Sequence, residues 1–303
     1  VAVRIAVPAA ADPGSLQVRL DDDDVGDQLD AAGGQVSGVL EVGAGVHTLT
    51  ASIEIDGAAS AVAVQFEAVA LEAADECEVL NDAECLLPYP SSRFLVPDPT
   101  TATGLRLQLP DRGLPQVNGT PLTAAPLNTV DGYSPTVQIL MHFPQGVDLV
   151  ASDAARLLAP GCCDQPPGPP WVETRTHTDR SLDADSPSLL IDAETGERVL
   201  HWLELDGRAA GTPARQALVM RPGVSLVPGH RYVVAMRGLT AGDGATPVVA
   251  EPVFAALRDG RPSSIAGVES RRAAMEAIFD LLADQGIARQ ELVLAFDFVV
   301  QSE

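Results

Sequence analysis

Three stretches between residues 198 and 257 decide the fold class of this chain. They read RVLHWLELD (198–206), RQALVMRPGVSLVPGHRYVVAMRGLTAGDG (215–244) and PVVAEPVFAAL (247–257). Apolar side chains alternate with polar ones in these stretches, and Pro and Gly separate the alternating runs. A period of two is typical of strands, and Pro and Gly punctuate turns. The region therefore predicts short strands, including one at 253–257, that stack as a β-sandwich.

The first 72 residues carry the same alternation and predict a small all-β domain of their own. Its alternating runs are 1–7, 16–20, 49–55 and 62–66. Glycines separate these runs, as expected for turns. A polar shift at 71–78 (LEAADECE) marks the joint with the rest of the chain. We therefore expect two domains, 1–72 and 73–303.

The second domain is predicted to be a larger sandwich with Pro-rich extended segments and one helix. The stretch 86–115 contains too many Pro residues for a helix, because Pro lacks the backbone donor and restricts the residue before it. One apolar stripe at i, i+3, i+4 and i+7 predicts a helix at about 270–285; its members are Met275, Ile278, Phe279 and Leu282. Ser270 is the expected N-cap and Gly286 the expected stop. The run 292–300 is apolar on both faces and predicts a central strand.

Composition limits the classes of function. The chain has 303 residues, of which 46% are hydrophobic, so wholesale disorder is excluded. Its formal net charge of −23 repels nucleic acid and anionic membranes. No apolar run approaches the ~18 residues that span a bilayer, so we expect no membrane insertion. Since the chain begins at Val1 without an initiator Met, we expect a mature or excised piece of a longer protein.

The cysteines indicate an oxidising compartment. Cys77 and Cys85 flank a seven-residue segment, and Cys162 and Cys163 are adjacent. We expect a Cys77–Cys85 staple and a vicinal Cys162–Cys163 bridge, which places the protein outside the cell, at its surface or in the periplasm. A zinc site would need both adjacent cysteines on one tetrahedral ion, which is awkward. Free thiols in a cytosolic chain are the alternative.

Motifs for catalysis are weak. The run 238–242 fits G-x-T-x-G, but Gly242-Asp243-Gly244 comes directly after it and indicates a turn instead of a strand-to-helix corner. The five His residues show no metal-ligand spacing, and structural roles are favoured for them. We therefore predict no catalytic residue, no enzyme activity and no cofactor, with calcium as the one alternative.

That calcium alternative rests on four consecutive carboxylates, Asp21, Asp22, Asp23 and Asp24. Calcium binds six to eight oxygen atoms, which such a turn could supply in part. The run lacks the alternating spacing of a dedicated calcium loop. A solvated hairpin tip is the competing interpretation.

Several segments of residues 77–303 resemble a family of uncharacterised secreted proteins of GC-rich bacteria. They include C-x7-CLLPYPSSRF (77–94), LNTVDGYSP (127–135), LVPGHRYVVAMRGL (226–239) and FDFVVQS (296–302). Parts also look like the N-terminal region of secreted bacterial lipases, where immunoglobulin-like modules precede a hydrolase. Residues 1–72 look like the short immunoglobulin-like module that precedes such regions. The resemblance implies an extracellular location and two immunoglobulin-like sandwiches, and it carries over no catalytic residue.

These observations support three hypotheses about function. The favoured one is a structural or interaction module of a larger secreted or cell-surface protein, whose partners are other domains of that protein or cell-surface proteins. The second is an accessory region of a secreted, ester-cleaving hydrolase. The third is a calcium-dependent adhesin or fibre subunit that self-assembles.

Overall fold

The structure, a computed structural model, describes residues 2–32, 34–40, 42–43, 45–68, 76–81, 84–117, 120–157, 177–263 and 266–302. The chain divides into two compact units, Val1–Glu72 and Ala73–Glu303. Taken over all the described residues, strands contain more residues than helices, so the predicted mainly β class is confirmed. None of the helices in this part of the chain is long and apolar enough to cross a membrane.

The first unit is built from antiparallel strands. They are β1 (Ala2–Ala6), β2 (Ala11–Leu20), β3 (Asp23–Asp24), β4 (Asp30–Ala32), β5 (Gln35–Val39), β6 (Gly45–Ile55) and β7 (Ala58–Ala68), with a 3-10 turn at Gly26–Gln28. One sheet has the order β1-β5-β4 and the other β3-β2-β6-β7. The longest pairing joins β6 to β7, from Gly45 opposite Ala68 to Ile55 opposite Ala58.

The core of the first unit lies between its two sheets. Val3 of β1 packs in one buried cluster with Val18 of β2 and Ala51 of β6. Because β1 belongs to one sheet and the other two strands to the second, the sheets face each other across this cluster. This is the two-layer arrangement that the alternation predicts.

The described residues of the second unit form further strands and three α-helices. The strands are β8 (Leu95–Pro97), β9 (Leu105–Leu107), β10 (Gln116–Val117), β11 (Thr120–Pro121), β12 (Ile139–His142), β13 (Ser188–Asp192), β14 (His201–Leu205), β15 (Ala217–Pro222), β16 (Arg231–Arg237) and β17 (Leu292–Val299). The helices are α1 (Pro252–Arg258), α2 (Ala266–Glu269) and α3 (Arg272–Asp284). Short 3-10 helices occur at Ser92–Phe94, Leu127–Thr129, His177–Leu182, Gly207–Ala209, Pro213–Arg215 and Arg289–Glu291.

Two three-stranded antiparallel sheets form the centre of this unit, β12-β15-β14 and β13-β16-β17. In the second sheet, β13 is buried throughout and β16 and β17 nearly so, which requires cover on both faces. One face carries Ser188, which contacts His201 of β14, and Phe298, which contacts Tyr133. That face therefore looks toward the first sheet, while α1 and α3 also lie against β17.

Helix α3 confirms the predicted apolar stripe. Its buried residues are Met275, Ile278, Phe279 and Leu282. Phe279 packs on Phe254 of α1 with ring centroids 6.2 Å apart, and the guanidinium of Arg289 lies 4.3 Å from its ring centroid. Gly286 has a φ of +75° just after the helix, as a stop at this position requires.

Two local predictions in this region are wrong. Residues 253–257 form helix α1 instead of a strand, because Pro252 occupies the first helical turn, where its fixed φ suits a helix. A run of five apolar residues does not distinguish the two structures by itself. Ser270 is not the N-cap of α3: the helix starts after Arg271, and the Ser270 hydroxyl donates to the carbonyl of Gly267 over 3.1 Å.

The prediction of a central position for 292–300 also needs correction. Strand β17 ends the three-strand order, and β16 is the central strand. The outer edge of β17 is nevertheless covered, because Tyr133 N–H donates to Val299 O (2.9 Å) and Gln301 N–H donates to Tyr133 O (2.8 Å). Gly132 permits this approach, since a Cβ there would lie 2.5 Å from the Gln301 nitrogen. A strand that is apolar on both faces is covered by other layers on both sides. This pattern does not show whether the strand is central or at the end of its sheet.

Candidate functional site

A serine–histidine pair lies inside the second unit. Ser188 begins β13 and His201 begins β14, so the two residues belong to different sheets. Ser188 Oγ lies 2.9 Å from His201 Nε2, and His201 Nδ1 lies 2.9 Å from the carbonyl oxygen of Val199. Because a carbonyl only accepts, Nδ1 carries the proton and Nε2 accepts from the Ser188 hydroxyl. A general base that activates a serine needs this hydrogen-bond direction.

The surroundings of the pair oppose catalysis. Ser188 and His201 both have 0% of their surface exposed. Burial lowers the pKa of His201 to about 4, so the imidazole is neutral at pH 7. A substrate has to come within roughly 3 Å of a nucleophile, and Ser188 offers no exposed atom to one. In this position the hydrogen bond joins the two sheets through the core.

The hydrogen bonds that position His201 also come from structural groups. Its backbone N–H donates to Ser181 Oγ over 3.1 Å, and the Ser181 hydroxyl donates to the carbonyl of Thr178 over 2.7 Å. In hydrolytic triads a carboxylate orients the base and stabilises its cation. Here a neutral carbonyl holds Nδ1, which provides no such charge stabilisation.

A second histidine cluster closes the turn before β16. His230 Nδ1 lies 2.8 Å from Asp192 Oδ2. The Tyr232 hydroxyl donates to the same oxygen over 3.3 Å and accepts the Val227 N–H over 2.8 Å. Asp192 ends β13, which pairs with β16, so the cluster ties the turn to the end of the neighbouring strand. Burial raises the pKa of Tyr232, which keeps its hydroxyl protonated for this role.

A buried acidic group joins the disulfide loop to the helices. Glu78 forms an ion pair with Arg271 and accepts a hydrogen bond from the Ser91 hydroxyl. The Leu80 N–H also donates to Glu78 Oε1 over 3.2 Å. The Tyr133 hydroxyl in turn donates to Ser91 O over 2.7 Å. Burial raises the pKa of Tyr133. These bonds hold the disulfide loop, the segment around Tyr133 that lies along the edge of β17, and the start of α3 in one network.

The aspartate run forms a tight turn whose carboxylates have separate roles. Asp21 and Asp22 have φ values of 49° and 78°, as a two-residue hairpin turn requires. Asp21 Oδ2 lies 2.5 Å from His47 Nδ1, and Asp21 Oδ1 accepts the Thr48 N–H over 2.7 Å. Asp24 Oδ1 accepts the Gly26 N–H over 3.0 Å, and Asp22 and Asp23 are exposed.

This geometry bears on the calcium hypothesis. Asp21 and Asp24 each bind protein donors, and all four aspartates of the run are exposed. Within the described ranges, no group of three or more His, Cys, Asp or Glu residues is arranged to hold a metal ion. Calcium binding by this run stays a prediction.

His47 receives two acceptors. Its Nδ1 faces the Asp21 carboxylate, and its Nε2 lies 2.8 Å from the carbonyl oxygen of Gly43. The hydrogen bond to Asp21, followed by that to Gly43, raises the pKa of His47. The bond from His47 in turn holds the pKa of Asp21 below its ordinary value. The protonated imidazole can donate to both acceptors at once.

The predicted Cys77–Cys85 disulfide is present. It closes the short loop that carries Glu78, and Glu78 N–H donates to the Cys85 carbonyl over 2.8 Å. The predicted Cys162–Cys163 bridge lies outside the described residues.

The G-x-T-x-G run is a turn, as expected from its glycines. Gly238 has a φ of +57°, and Thr240 N–H donates to Ser152 Oγ over 2.9 Å. Asp243 accepts the Thr246 hydroxyl and the backbone N–H groups of Thr246 and Ala245, which closes the turn. The bond from the Thr246 hydroxyl, followed by those two backbone bonds, lowers the pKa of Asp243 to about 2. A groove of about 670 Å³ lies beside this turn and reaches Arg258, Arg261 and Glu291. Ser188 and His201 do not line it.

Sequence reasoning did not identify the pairs Ser188–His201 and Glu78–Arg271. Their members are separated by 13 and 193 residues, and no short motif marks either pair. The position of His201 at the start of an alternating run was the only signal, and it indicated a structural role. No family model, curated protein or solved structure matches the chain.

Proposed function

We propose that the chain is a non-catalytic structural and interaction module of a larger secreted or cell-surface protein. Its partners would be other domains of that protein or proteins of the cell surface. Two immunoglobulin-like sandwiches are the architecture that we propose for this role. The Cys77–Cys85 disulfide supports an oxidising, extracellular setting. The net charge of −23 argues against nucleic acid as a partner.

The location of the Ser188–His201 pair carries this proposal. The pair has the hydrogen bond of a nucleophile and its base, yet both residues are fully buried between two sheets. The Asp192–His230–Tyr232 and Glu78–Arg271–Ser91 clusters also bind structural elements to one another. These three clusters thus connect structural elements of the second unit to one another, as expected of a scaffold.

Hydrolysis of short acyl esters by the purified chain tests the proposal. We expect no turnover above the uncatalysed rate, and Ser188→Ala should leave that background unchanged. Turnover that survives repurification and disappears in Ser188→Ala would support the hydrolase hypothesis instead. Ser186→Ala is the matched control, because Ser186 is buried beside Ser188 and its hydroxyl donates to Ser188 O over 2.8 Å.

A fibre or adhesin subunit is the second candidate function. The exposed edge of β7 favours it, because this long strand lies at the end of its sheet.

A further inference from the structure

Strand β7 is an edge strand with exposed side chains. It pairs with β6 over its full length of 11 residues and ends the order β3-β2-β6-β7. No described strand pairs with its other side. Every residue from 58 to 65 is exposed. Such an edge presents unpaired backbone donors and acceptors in a row, which is a template for another strand.

The exposed valines of β7 lie on the side of the sheet that faces the core of the first unit. Val62 pairs with Ala51 and Val64 with Leu49. Ala51 belongs to the core cluster of the first unit and Leu49 packs against that cluster, so the two valines share its face of the sheet. Val62 is nevertheless 59% exposed and Val64 55% exposed. The facing sheet has three strands and leaves this margin of the four-stranded sheet uncovered.

Other edges of this unit carry features that discourage pairing. The opposite edge of the same sheet, β3, consists of only two residues, both Asp. Strand β2 has a register irregularity between Asp12 and Gln17. By contrast, the residues from 57 to 66 include no charge and no Pro, and the β6–β7 register is continuous. Charges, Pro residues and bulges are the usual means of protecting an edge, and β7 has none of them in this run.

We propose that β7 pairs antiparallel with β7 of a second copy of this chain. This inference deepens the proposed structural function and rests on it. With Ala63 opposite Ala63 of the second copy, the two four-stranded sheets become one continuous sheet of eight strands. Val62 then lies opposite Val64 of the second copy on the core-facing side, and the reverse pair lies beside it. Opposed β-branched side chains are favourable cross-strand pairs.

The distribution of charge favours a second copy as the occupant. The chain as a whole carries −23, so most faces of two copies repel each other. Residues 60 to 66 carry no charge and, in the proposed register, lie opposite residues 60 to 66 of the second copy. Added salt reduces the remaining long-range repulsion, since the Debye length is about 10 Å at 0.1 M. The dimer should therefore strengthen with NaCl, with no special effect of calcium at matched ionic strength.

Sedimentation of the full chain at NaCl from about 0.02 to about 1 M measures this association. We expect a shift from monomer to dimer with rising salt. Val62→Glu should weaken dimerisation at least tenfold, because it places a carboxylate opposite Val64 of the second copy and brings two like charges to diagonal positions in the new interface. Val46→Glu adds the same charge on β6, at a valine that is 63% exposed and away from the edge, and should dimerise like the unchanged chain. Should Val62→Glu fail to fold, Ala61→Glu tests the same edge from the other face.

A cysteine pair tests the register. Ala63→Cys places two thiols opposite each other, at the Cα separation of about 4.5–5.5 Å that suits a disulfide. Mild oxidation should give a covalent dimer of Ala63→Cys and none of the control Ala59→Cys. A chain that stays monomeric in high salt, or that associates equally with Val62→Glu, overturns the interface. Neither outcome affects the ester assay, so failure of this inference remains distinguishable from failure of the proposed function.

Discussion

Glu78 and Arg271 form a buried ion pair across 193 residues of sequence. The Glu78 side chain is 0% exposed and that of Arg271 9% exposed. Glu78 follows Cys77 directly, and Arg271 precedes α3 directly, so the pair connects a covalently closed loop to a helix packed against the central sheet. Loss of one partner would leave the other as an uncompensated buried charge.

Substitution of adjacent arginines tests the value of this pair. Arg271→Met should destabilise the second unit by about 3–5 kcal/mol, because it strands the Glu78 carboxylate in the interior. Arg272→Met removes an ion pair with Glu269, which is 40% exposed, and should cost about 1 kcal/mol or less. Urea unfolding of both variants makes the comparison. Equal losses of stability would contradict a special role for the buried pair.

Reduction of the Cys77–Cys85 bond should destabilise the second unit by roughly 2–3 kcal/mol, because the short loop regains conformational freedom in the unfolded chain. Unfolding of the double variant Cys77→Ala, Cys85→Ala measures this loss without a reductant. Peptide mapping should find Cys77 joined to Cys85 in the untreated protein. An unchanged unfolding midpoint in the double variant would show that the Glu78 network holds the loop alone.

Phe279→Ala should cost about 3–5 kcal/mol, because it removes a ring packed on Phe254 and beneath Arg289 and leaves a cavity. Asp280→Ala is the matched control: Asp280 is the next residue on α3 and is exposed, so its loss should change stability by less than about 0.5 kcal/mol. Thermal or urea unfolding decides. A silent Phe279→Ala would mean that the helix does not contribute to the core.

The two units should respond to pH through different histidines. His201 has a pKa lowered from 6.5 to about 4, so the folded second unit favours the neutral imidazole. Its contribution is present above pH 6.5 and is lost as the pH falls toward 4, by about 3 kcal/mol in total. Both tryptophans, Trp171 and Trp202, belong to this unit, so their fluorescence during unfolding follows it. His201→Gln should flatten the pH dependence in this window.

In the first unit, protonation of His47 should stabilise the fold, whereas protonation of His201 destabilises the second unit. Its pKa is raised by Asp21, so the stabilising charged form is complete below pH 6.5 and is lost as the pH rises through the folded pKa. Hydrogen exchange of the Thr48 amide, which donates to Asp21, should therefore accelerate above neutral pH beyond the intrinsic effect. His47→Gln should remove this excess. If the additional acceleration of Thr48 exchange persists in His47→Gln, another titrating group causes it.

The sequence predicted the local features of the fold well and the long-range ones poorly. Period-two alternation identified β2, β6, β7 and β16, since a strand's pattern depends on neighbours in sequence. The alternation of Val62 and Val64 predicted a half-buried strand, but burial depends on the facing sheet, which stops short of β7. Residues 253–257 were misassigned because a short apolar run fits a buried helix as well as a strand.

The candidate site shows the same division. The Cys77–Cys85 staple was predictable because its partners are close in sequence. Ser188 and His201 meet only after two sheets have packed, and nothing in either local sequence encodes that contact. The aspartate run was recognised as a turn, while the role of Asp21 depends on His47, which lies 26 residues away.

We propose above that the Ser188–His201 pair is a structural element of the core. A fluorophosphonate that phosphonylates activated serines, combined with peptide mass spectrometry, tests it most directly. We predict that the native protein remains unmodified at Ser188 under conditions that fully label a serine hydrolase used as a positive control. Stoichiometric modification of Ser188 in the native protein, abolished by His201→Gln, would contradict a purely structural role and identify a working nucleophile.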